Sequence, residues 1–376
     1  MHTITIFPLG NADCCRIDLA GGRKILFDYA NTRCADDAAD KRVDLEKELR
    51  ADLKVAQRDS YDVVAFTHLD TDHFCKATEF FELRHAVKYQ GKDRIKINEM
   101  WVPAAAIYED RADLAEEGRI IQAEARYRLE RGDGIRVFSR PAKLEEWLNS
   151  RGLTLQSRSH LITDAGQIVP GFSLPEHGVE FFVHSPFASR QDDGTFTDRN
   201  SCSLVMQAVF EVLGRQTKFI LAADTTHDVW TEIVRITKFH GRPERLEWDL
   251  FKLPHHCSYL SLAPDKGKDE TVPVEAVRWI FEEQDQPGAI VVSTSDPIPT
   301  EDTDQPPHRQ AANYYRDNPN GGTFVVTMEH PKPSAPEPLV ITIDHRKATI
   351  KKRAIAASVA VTSVSAPRAG AGTPRS

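Results

Sequence analysis

The sequence predicts an α/β protein in which strands and helices are arranged in layers. Short apolar runs that are typical of buried strands recur along the chain, and several are followed by charged segments with helical spacing. In addition, polar residues with metal-binding side chains directly follow three of these runs. The 376 residues include 40% hydrophobic and 28% charged residues, which is ordinary for a globular protein with a large core.

The N-terminal part of the chain predicts three strands and one helix. Residues 3–7, 15–19 and 24–28 are short apolar-rich runs, and the last two flank a Gly-Gly hairpin signal. Three leucines spaced four apart within residues 36–57 predict a helix that has one apolar stripe and an otherwise solvated, charged surface.

The stretch YDVVAFTHLDTDHF at 61–74 carries the first group of candidate metal ligands. Its apolar part predicts a short buried strand, and the residues after it form a loop where a rigid strand holds side chains at a cleft. Four possible ligands fall within six residues of this loop: His68, Asp70, Asp72 and His73. A tight turn can direct them at two adjacent points, as a two-metal hydrolytic site requires. Capping is the simpler explanation for any one of them, but unpaired like charges at one strand end would repel each other.

Two later strand ends carry the same kinds of side chain. The run at 218–223 predicts a buried strand, and Asp224 follows it; this carboxylate can bridge two metal ions or cap the next helix. The run at 248–253 leads to His255 and His256. One of these should bind the second metal, and the other can donate a hydrogen bond to substrate or act as general acid. We favour His255 as the ligand.

Taken in order, these motifs resemble those of the metallo-β-lactamase superfamily. H-L-D-T-D-H at 68–73 is similar to its H-x-[HDE]-x-D-H signature, and K-F-I-L-A-A-D at 218–224 is similar to L-L-x-G-D. F-K-L-P-H-H-C-S at 251–258 resembles L-K-x-x-H-H-G-S, with Cys257 in the Gly place. With Asp as the second ligand of the first motif, the chain is most similar to the hydrolase domain of bacterial DNA-uptake (ComEC-type) proteins and their soluble relatives.

The resemblance covers about residues 1–345 and implies an architecture. It implies an αββα sandwich of two mixed β-sheets with helices outside and the site at one edge. An inserted helical segment at about 86–178 is expected to shape the mouth of the site. We expect a single domain over residues 1–354. The remaining residues, 355–376, are rich in Ala, Ser, Val, Thr, Pro and Gly and are expected to be a disordered tail.

Four further positions resemble family positions less closely, and each has a simpler alternative. His184 ends a predicted strand where members place the third ligand of the first metal; a hydrogen-bonded structural histidine is the alternative. N-S-C-S-L-V-M at 200–206 is similar to an N-x-x-S-L-V-L segment, in which Asn200 would steady a substrate oxygen or capping would explain it. His308 and Arg309 resemble a late segment that approaches substrate, where Arg would bind a leaving phosphate. An exposed pair at a helix start is the alternative.

Two acidic residues near the N-terminus also resemble family positions. F-P-L-G-N-A-D-C at 7–14 and I-L-F-D at 25–28 are similar to the opening segments V-G-x-G-D and I-L-I-D. Asp13 and Asp28 therefore take the fold positions of those carboxylates. We expect them to cap turns or orient a ligand and assign them no catalytic role.

The resemblance implies a hydrolase with two divalent ions, zinc or manganese, as cofactors. The implied metal ligands are His68, Asp70, Asp72, His73, Asp224 and His255, with His184 as a further candidate; Asp72, His256 and His308 have catalytic roles, and Asn200 and Arg309 contact substrate. The ions would lower the pKa of a bridging water to give hydroxide and stabilise the charge that develops during attack. Because Asp70 replaces a His, the oxygen-rich site favours manganese or magnesium more than usual and suits phosphodiester cleavage.

Composition limits the partners and the location. The net charge of −8 argues against non-specific coating of duplex nucleic acid, although a nucleotide or strand end can still bind at a metal centre. The six cysteines include no C-x-x-C pair and suit a reducing cytoplasm. No signal peptide or membrane span is expected.

The expected function is that of a phosphodiesterase or nuclease with a nucleotide or nucleic-acid substrate. One alternative is an acyl hydrolase acting on thioesters or lactones. The other is a partner-bound scaffold subunit with a weak or structural metal site. A protein partner or a homo-oligomer is compatible with the sequence in each case.

Overall fold

The computed structural model of the protein describes residues 1–110, 112–192, 199–317 and 322–351. The tail predicted at 355–376 lies outside the described residues. The strands are β1 (His2–Ile6), β2 (Cys15–Asp18), β3 (Lys24–Phe27), β4 (Ser60–Ala65), β5 (Lys96–Pro103), β6 (Ile135–Phe138), β7 (Ile162–Thr163), β8 (Val179–Ser185), β9 (Val205–Val212), β10 (Arg215–Leu221), β11 (Trp248–Lys252), β12 (Asp285–Ser293), β13 (Thr323–Val326), β14 (Leu339–Ile343) and β15 (Ala348–Ile350).

The described helices range from single turns to four turns. They are α1 (Leu45–Val55), α2 (Thr71–Phe74), α3 (Ala77–Phe80), α4 (Ala105–Tyr108), α5 (Glu116–Arg131), α6 (Ala142–Ser150), α7 (Leu155–Arg158), α8 (Leu174–His177), α9 (Ala188–Asp192), α10 (His227–Phe239), α11 (Glu275–Glu283) and α12 (Arg309–Arg316). None of these helices combines the length and the apolar character needed to cross a membrane.

The strands form two mixed sheets. The first sheet has nine strands in the order β15-β14-β1-β2-β3-β4-β5-β6-β7, and β3 to β7 run parallel to one another. The second sheet has six strands in the order β13-β12-β11-β10-β9-β8, and β10 to β13 run parallel. The remaining neighbours in both sheets are antiparallel.

Three apolar clusters define four layers. The central cluster lies between the sheets and includes Ile4 of β1 and Val183 of β8. A second cluster packs α1, α5 and α6 against the outer face of the first sheet. A third packs α10, α11 and α12 against the outer face of the second sheet. Alternating side chains let each sheet bury both faces in this way, and the predicted αββα sandwich is confirmed.

Helix α1 shows how the local sequence determines an outer element. Asp44 caps its first turn by accepting a hydrogen bond from Lys47 N at 3.1 Å. Leu45, Leu49 and Leu53 are all buried against the first sheet, because residues four apart lie on one face of a helix. The helix predicted within residues 36–57 is thereby confirmed.

The segment at about 86–178 contributes to the sheet as well as to the helices. It supplies β5, β6 and β7, which extend the first sheet beyond β4. It also supplies α5 and α6, which cover that extension. The parallel arrangement places the C-terminal ends of β4 and β5 at the same edge, so this segment borders the loop that follows β4.

Candidate metal centre

Side chains from three strand ends and from the turn after β1 meet at one edge of the sandwich. His73 follows β4, Asp224 follows β10, and His256 follows β11. Together with Asp13 these residues are buried, and one ligand atom from each lies within 4.8 Å of those of the other three. Two carboxylates and two imidazoles converging at this spacing form a group that can hold a metal ion.

Asp224 lies at the centre of the group. Its Oδ1 is 3.2 Å from His73 Nε2, and its Oδ2 is 3.9 Å from both His68 Nε2 and His256 Nε2. The two oxygens of this carboxylate therefore face different histidines. Such a carboxylate can bridge two cations, because each oxygen can bind one of them.

The other side chains form two lobes that share this central carboxylate. In the first lobe, His68 Nε2 lies 3.5 Å from Asp70 Oδ2. In the second lobe, Asp72 Oδ2 lies 2.9 Å from His256 Nε2 and 3.8 Å from His73 Nε2. The loop after β4 thus brings His68 next to Asp70, and Asp72 next to His73 and His256.

Hydrogen bonds on the far side of two rings orient them toward the second lobe. His73 Nδ1 donates to Asp28 Oδ2 at 2.9 Å, and His256 Nδ1 donates to Thr294 O at 2.7 Å. In each neutral ring the Nε2 lone pair then points into the lobe. A carboxylate or carbonyl behind the ring is the usual support of a metal-binding histidine, and Asp28 has the orienting position expected for it.

Unpartnered buried atoms test whether these residues fit a cation. Among the described residues, His68 Nε2, His73 Nε2, Asp13 Oδ1 and Asp224 Oδ1 are buried and make no hydrogen bond. Leaving such an atom unsatisfied costs roughly 1 to 3 kcal/mol. Three of these atoms belong to the cluster, and the fourth, His68 Nε2, lies 3.9 Å from Asp224 Oδ2. Divalent cations bound there would satisfy them. The residues therefore fit a metal.

The pKa values of two histidines in the cluster also indicate that the site can hold a cation. Burial lowers the pKa of His256, but Asp224 and the hydrogen bond to Asp72 outweigh burial and raise the pKa to about 9. Burial also lowers the pKa of His73, but Asp224 and Asp28 raise it well above its usual value. The cluster therefore carries an excess of negative charge, which protons on the rings or bound cations must balance.

Arg199 belongs to the site, although the sequence analysis missed it. Its Nη1 donates to Asp70 Oδ1 at 2.8 Å, its Nε to Glu109 Oε1 at 2.6 Å, and its Nη2 to Asp113 Oδ1 at 3.0 Å. These contacts leave Asp70 Oδ2 facing His68. The three partners lie 129, 90 and 86 residues away in sequence, so no local pattern predicts the contacts.

The structure places His256 in the four-residue cluster and His255 outside it, whereas the sequence favours His255 as the ligand. His255, His256 and Cys257 have φ values of 49°, 52° and 65°. Three left-handed residues in a row turn the two neighbouring rings apart, with centroids 6.4 Å apart and planes at 78°. Such conformations cost of order 1 to 3 kcal/mol each in non-glycine residues and are typical of functional sites. Cys257 adopts the left-handed backbone that glycine would have there.

His184 also lies away from the cluster, so its predicted metal role is not supported. In β8, Phe181 and Val183 face the core between the sheets, and alternation turns His184 to the opposite face. There its Nε2 donates to Arg245 O at 2.8 Å. The ring lines a cavity of about 420 Å³ against α10. It is the hydrogen-bonded structural histidine of the alternative interpretation.

The burial of His184 predicts a pH-dependent stability. Burial lowers its pKa to about 4, although the bond to the Arg245 carbonyl opposes the shift. The unfolded chain binds this proton near pH 6.5, so stability falls as the pH drops from about 6.5 to 4. Urea unfolding of the wild type should lose up to about 3 kcal/mol more over that range than unfolding of His184→Gln. Parallel pH profiles for the two proteins would refute this assignment.

His308 and Arg309 lie near the cluster but not in it. The His308 N–H donates to Cys257 O at 3.1 Å, and its ring Nδ1 accepts from Tyr259 N at 3.3 Å. His308 therefore borders the turn that carries His256, as a substrate-contacting residue would. Arg309 Nη2 lies 3.4 Å from Asp302 Oδ1 in an ion pair at the start of α12, which is the alternative interpretation of this residue.

Asn200 lies beside the loop that follows β4. It begins a short 3-10 turn, and its carbonyl accepts a hydrogen bond from Ser203 Oγ at 2.8 Å. Leu204 N donates to Thr67 O at 3.0 Å and joins this segment to the metal loop. Asn200 Oδ1 is buried and makes no hydrogen bond among the described residues. The predicted position next to the site agrees with this geometry, and a substrate contact stays a prediction.

Asp13 lies deeper in the site than its expected capping or orienting role requires. Its Oδ2 accepts a hydrogen bond from Lys252 Nζ at 2.6 Å, and both side chains are almost fully buried. Its main-chain N–H donates to Asp72 O at 3.0 Å. The Asp13–Lys252 pair joins residues 239 positions apart, and no local pattern predicts it.

Comparisons with known proteins give weak similarities. No family model matches the sequence, and no curated protein matches it significantly. Among solved structures, the metallo hydrolase Igni18 from the hyperthermophilic archaeon Ignicoccus hospitalis KIN4/I is 14% identical, with 90% of this chain and 99% of that chain covered and a TM-score of 0.38. A new diphosphatase from the PhnP family is 10% identical, with coverages of 86% and 95% and a TM-score of 0.33. At these values neither similarity carries an argument, and the fold assignment rests on this chain's own sheets and layers.

Proposed function

We propose that the protein is a metal-dependent hydrolase of the metallo-β-lactamase superfamily that cleaves phosphodiesters, as a phosphodiesterase or nuclease related to the ComEC-type branch. The observation that carries the proposal is the position of Asp224 between two lobes. Its Oδ1 faces His73, and its Oδ2 faces both His68 and His256. This arrangement supports a dinuclear centre with zinc or manganese as the cofactor.

The residues at the mouth of the site can support the attack of a water molecule on a bound substrate. When bound, divalent cations supply a water of lowered pKa and offset the charge that develops on the attacked group. Asp70 and Asp72 each keep 34% of the side chain exposed, whereas His68, His73 and Asp224 are buried. Substrate therefore approaches from the side of the two exposed carboxylates. The ionised Asp72 can accept the proton that water loses.

The three carboxylates of the centre favour phosphodiester over acyl substrates. Asp70, Asp72 and Asp224 supply oxygen ligands, which suit manganese or magnesium better than a histidine-rich set would. Such hard cations bind phosphate oxygens well. These preferences support a nucleotide or nucleic acid as substrate. The acidic net charge of the protein does not prevent such a substrate from binding, because bound cations attract phosphate locally.

The cysteines support a location in the cytoplasm. All six lie in the part of the chain that the structure describes and form no disulfide there, and four of them are buried. Free thiols persist in a reducing compartment. Burial raises the pKa of Cys257 to about 12, and this side chain packs in the apolar cluster beneath α10 and α11.

The proposal is tested with Asp72→Asn and the exposed Asp59→Asn as a matched control. In added manganese, the wild type and Asp59→Asn should hydrolyse bis-p-nitrophenyl phosphate, and a chelator should abolish the activity. Asp72→Asn should lower kcat at least about 100-fold, because a charged group at the reacting centre is lost. Turnover of p-nitrophenyl acetate and thioesters without phosphodiester turnover would favour an acyl hydrolase instead. A full metal complement without either turnover, plus a stable protein partner, would indicate a scaffold subunit.

A further inference from the structure

We propose that Asp13 is a metal ligand of the second lobe and that Lys252 positions it. This inference rests on the metal centre proposed above. It gives a direct ligand role to a carboxylate whose sequence position indicates only capping or orientation.

The turn that carries Asp13 is held in place from both sides. Asp13 N donates to Asp72 O at 3.0 Å, which joins the turn to the metal loop. Two residues earlier, Asn11 Nδ2 donates to Pro306 O at 2.7 Å, and Asn11 Oδ1 accepts from Asp296 N at 3.0 Å. Asn11 thus ties the turn to the loop that precedes α12. A carboxylate on so constrained a turn has a defined position in the cluster.

The two carboxylate oxygens of Asp13 have different surroundings. Lys252 Nζ donates to Oδ2 at 2.6 Å and to Ala222 O at 2.9 Å. Oδ1 is buried and makes no hydrogen bond among the described residues. The side chain is 1% exposed, so water does not compensate this atom. Oδ1 is therefore the oxygen that remains available to a cation.

A purely structural ion pair does not explain this arrangement. Neutralising Lys252 requires only one oxygen of Asp13, and a purely structural pair would leave the other oxygen buried without a hydrogen bond, which is unfavourable. Because Lys252 cancels the charge of Asp13, the site gains an oxygen ligand without gaining net negative charge.

The added oxygen changes the coordination that the second lobe can offer. Its ligand set would then include the four residues whose ligand atoms lie within 4.8 Å of one another, Asp13, His73, Asp224 and His256. Asp72, whose Oδ2 lies 2.9 Å from His256 Nε2, would be the fifth. Zinc in proteins is mostly four-coordinate, so five protein ligands exceed what it needs. An octahedral ion such as manganese would use all five and keep one position for water. Asp13 therefore selects for an octahedral cation.

The test compares metal selectivity in the full-length wild type and in Asp13→Asn. Competition titrations measure the Kd for manganese and for zinc in each protein. Asp13→Asn should weaken manganese binding by about 10- to 100-fold and zinc binding by less than about threefold, since zinc keeps four ligands. No change, or an equal loss of both metals, would overturn the assignment. In crystals of the manganese-loaded wild type, Oδ1 should lie within about 2.5 Å of the ion.

A second variant separates ligand loss from misfolding. Asp13→Asn leaves the Lys252 ammonium buried without its carboxylate partner, which destabilises the fold. Asp13→Asn combined with Lys252→Met removes both charges and should show the same selective loss of manganese. A double variant that keeps wild-type selectivity would refute the ligand role. If the wild type itself binds no metal, the proposed function fails as well. If it binds manganese and cleaves phosphodiester, only the role of Asp13 is at stake.

Discussion

Replacement of Asp224 by Asn is expected to lower phosphodiester hydrolysis by about 1,000-fold or more. The substitution keeps the size of the side chain but removes the charge that both lobes share. Asp224 Oδ1 lies 3.2 Å from His73 Nε2 and Oδ2 lies 3.9 Å from His68 Nε2, so both lobes lose a ligand at once. Loss of a single electrostatic contact at a reacting centre typically costs 100- to 1,000-fold (about 3 to 4 kcal/mol), and loss of a shared ligand should exceed that.

Elemental analysis of the purified Asp224→Asn protein should show less bound metal than the wild type. Manganese should also raise the unfolding temperature of the wild type and fail to do so for the variant, because ligand binding stabilises only the protein that binds it. Asp228→Asn is the matched control. Asp228 lies in the first turn of α10 and pairs with Arg190, outside the cluster. Normal metal content and activity in Asp224→Asn would show that the carboxylate does not bridge cations.

The second large expected effect is a difference in metal binding between variants of two neighbouring histidines. His256→Ala should weaken metal binding at least about 100-fold, beyond the range seen when only a supporting residue is lost, and activity should fall with it. His255→Ala should keep the wild-type metal content. The reason is geometric, since His256 Nε2 lies 2.9 Å from Asp72 Oδ2, whereas the turn directs His255 away. Metal titration of both variants makes the comparison.

The His255→Ala and His256→Ala variants also control for the effect of the strained backbone on metal binding. Both positions have left-handed φ values, 49° and 52°, so each Ala substitution acts on a similar conformation. A loss of metal in His255→Ala with a normal His256→Ala would restore the choice made from sequence alone. Equal losses in both would indicate that the turn collapses and would remove the contrast on which the assignment rests.

Much of the site could be predicted because its ligands follow buried strands directly. The apolar runs before His68 and Asp224 form β4 and β10, and the parallel strand ends meet at one edge. A strand pattern and the residue after it are both local, so a single sequence contains that information. The same argument predicts the two sheets and the outer helices.

The orientation of His184 in β8 follows from the local sequence pattern. In β8 the apolar Phe181 and Val183 alternate with Glu180 and His184, so the period of two already places His184 on the face with Glu180. That face packs against α10 and not against the other sheet. Strand alternation therefore predicts that His184 lies on the outer face of the second sheet, the face that α10 covers.

Other features of the site depend on long-range contacts and carry no local signal. Asp13 and Lys252 pair across 239 residues, and Arg199 reaches Asp70 across 129. Adjacent histidines in a turn cannot be ranked by spacing either. Their directions depend on φ values of about 50° that non-glycine residues rarely adopt, and the surrounding packing imposes these values.

The most direct test of the central claim is anomalous diffraction from crystals of the wild type grown with manganese. Two peaks are predicted, one on each side of the Asp224 carboxylate. One should lie among His68, Asp70 and Asp224, and the other should lie next to His73 and His256. Two such peaks would establish a dinuclear centre shared through Asp224. The absence of both peaks, or ions bound only elsewhere on the surface, would contradict the proposed metal centre and the hydrolytic function with it.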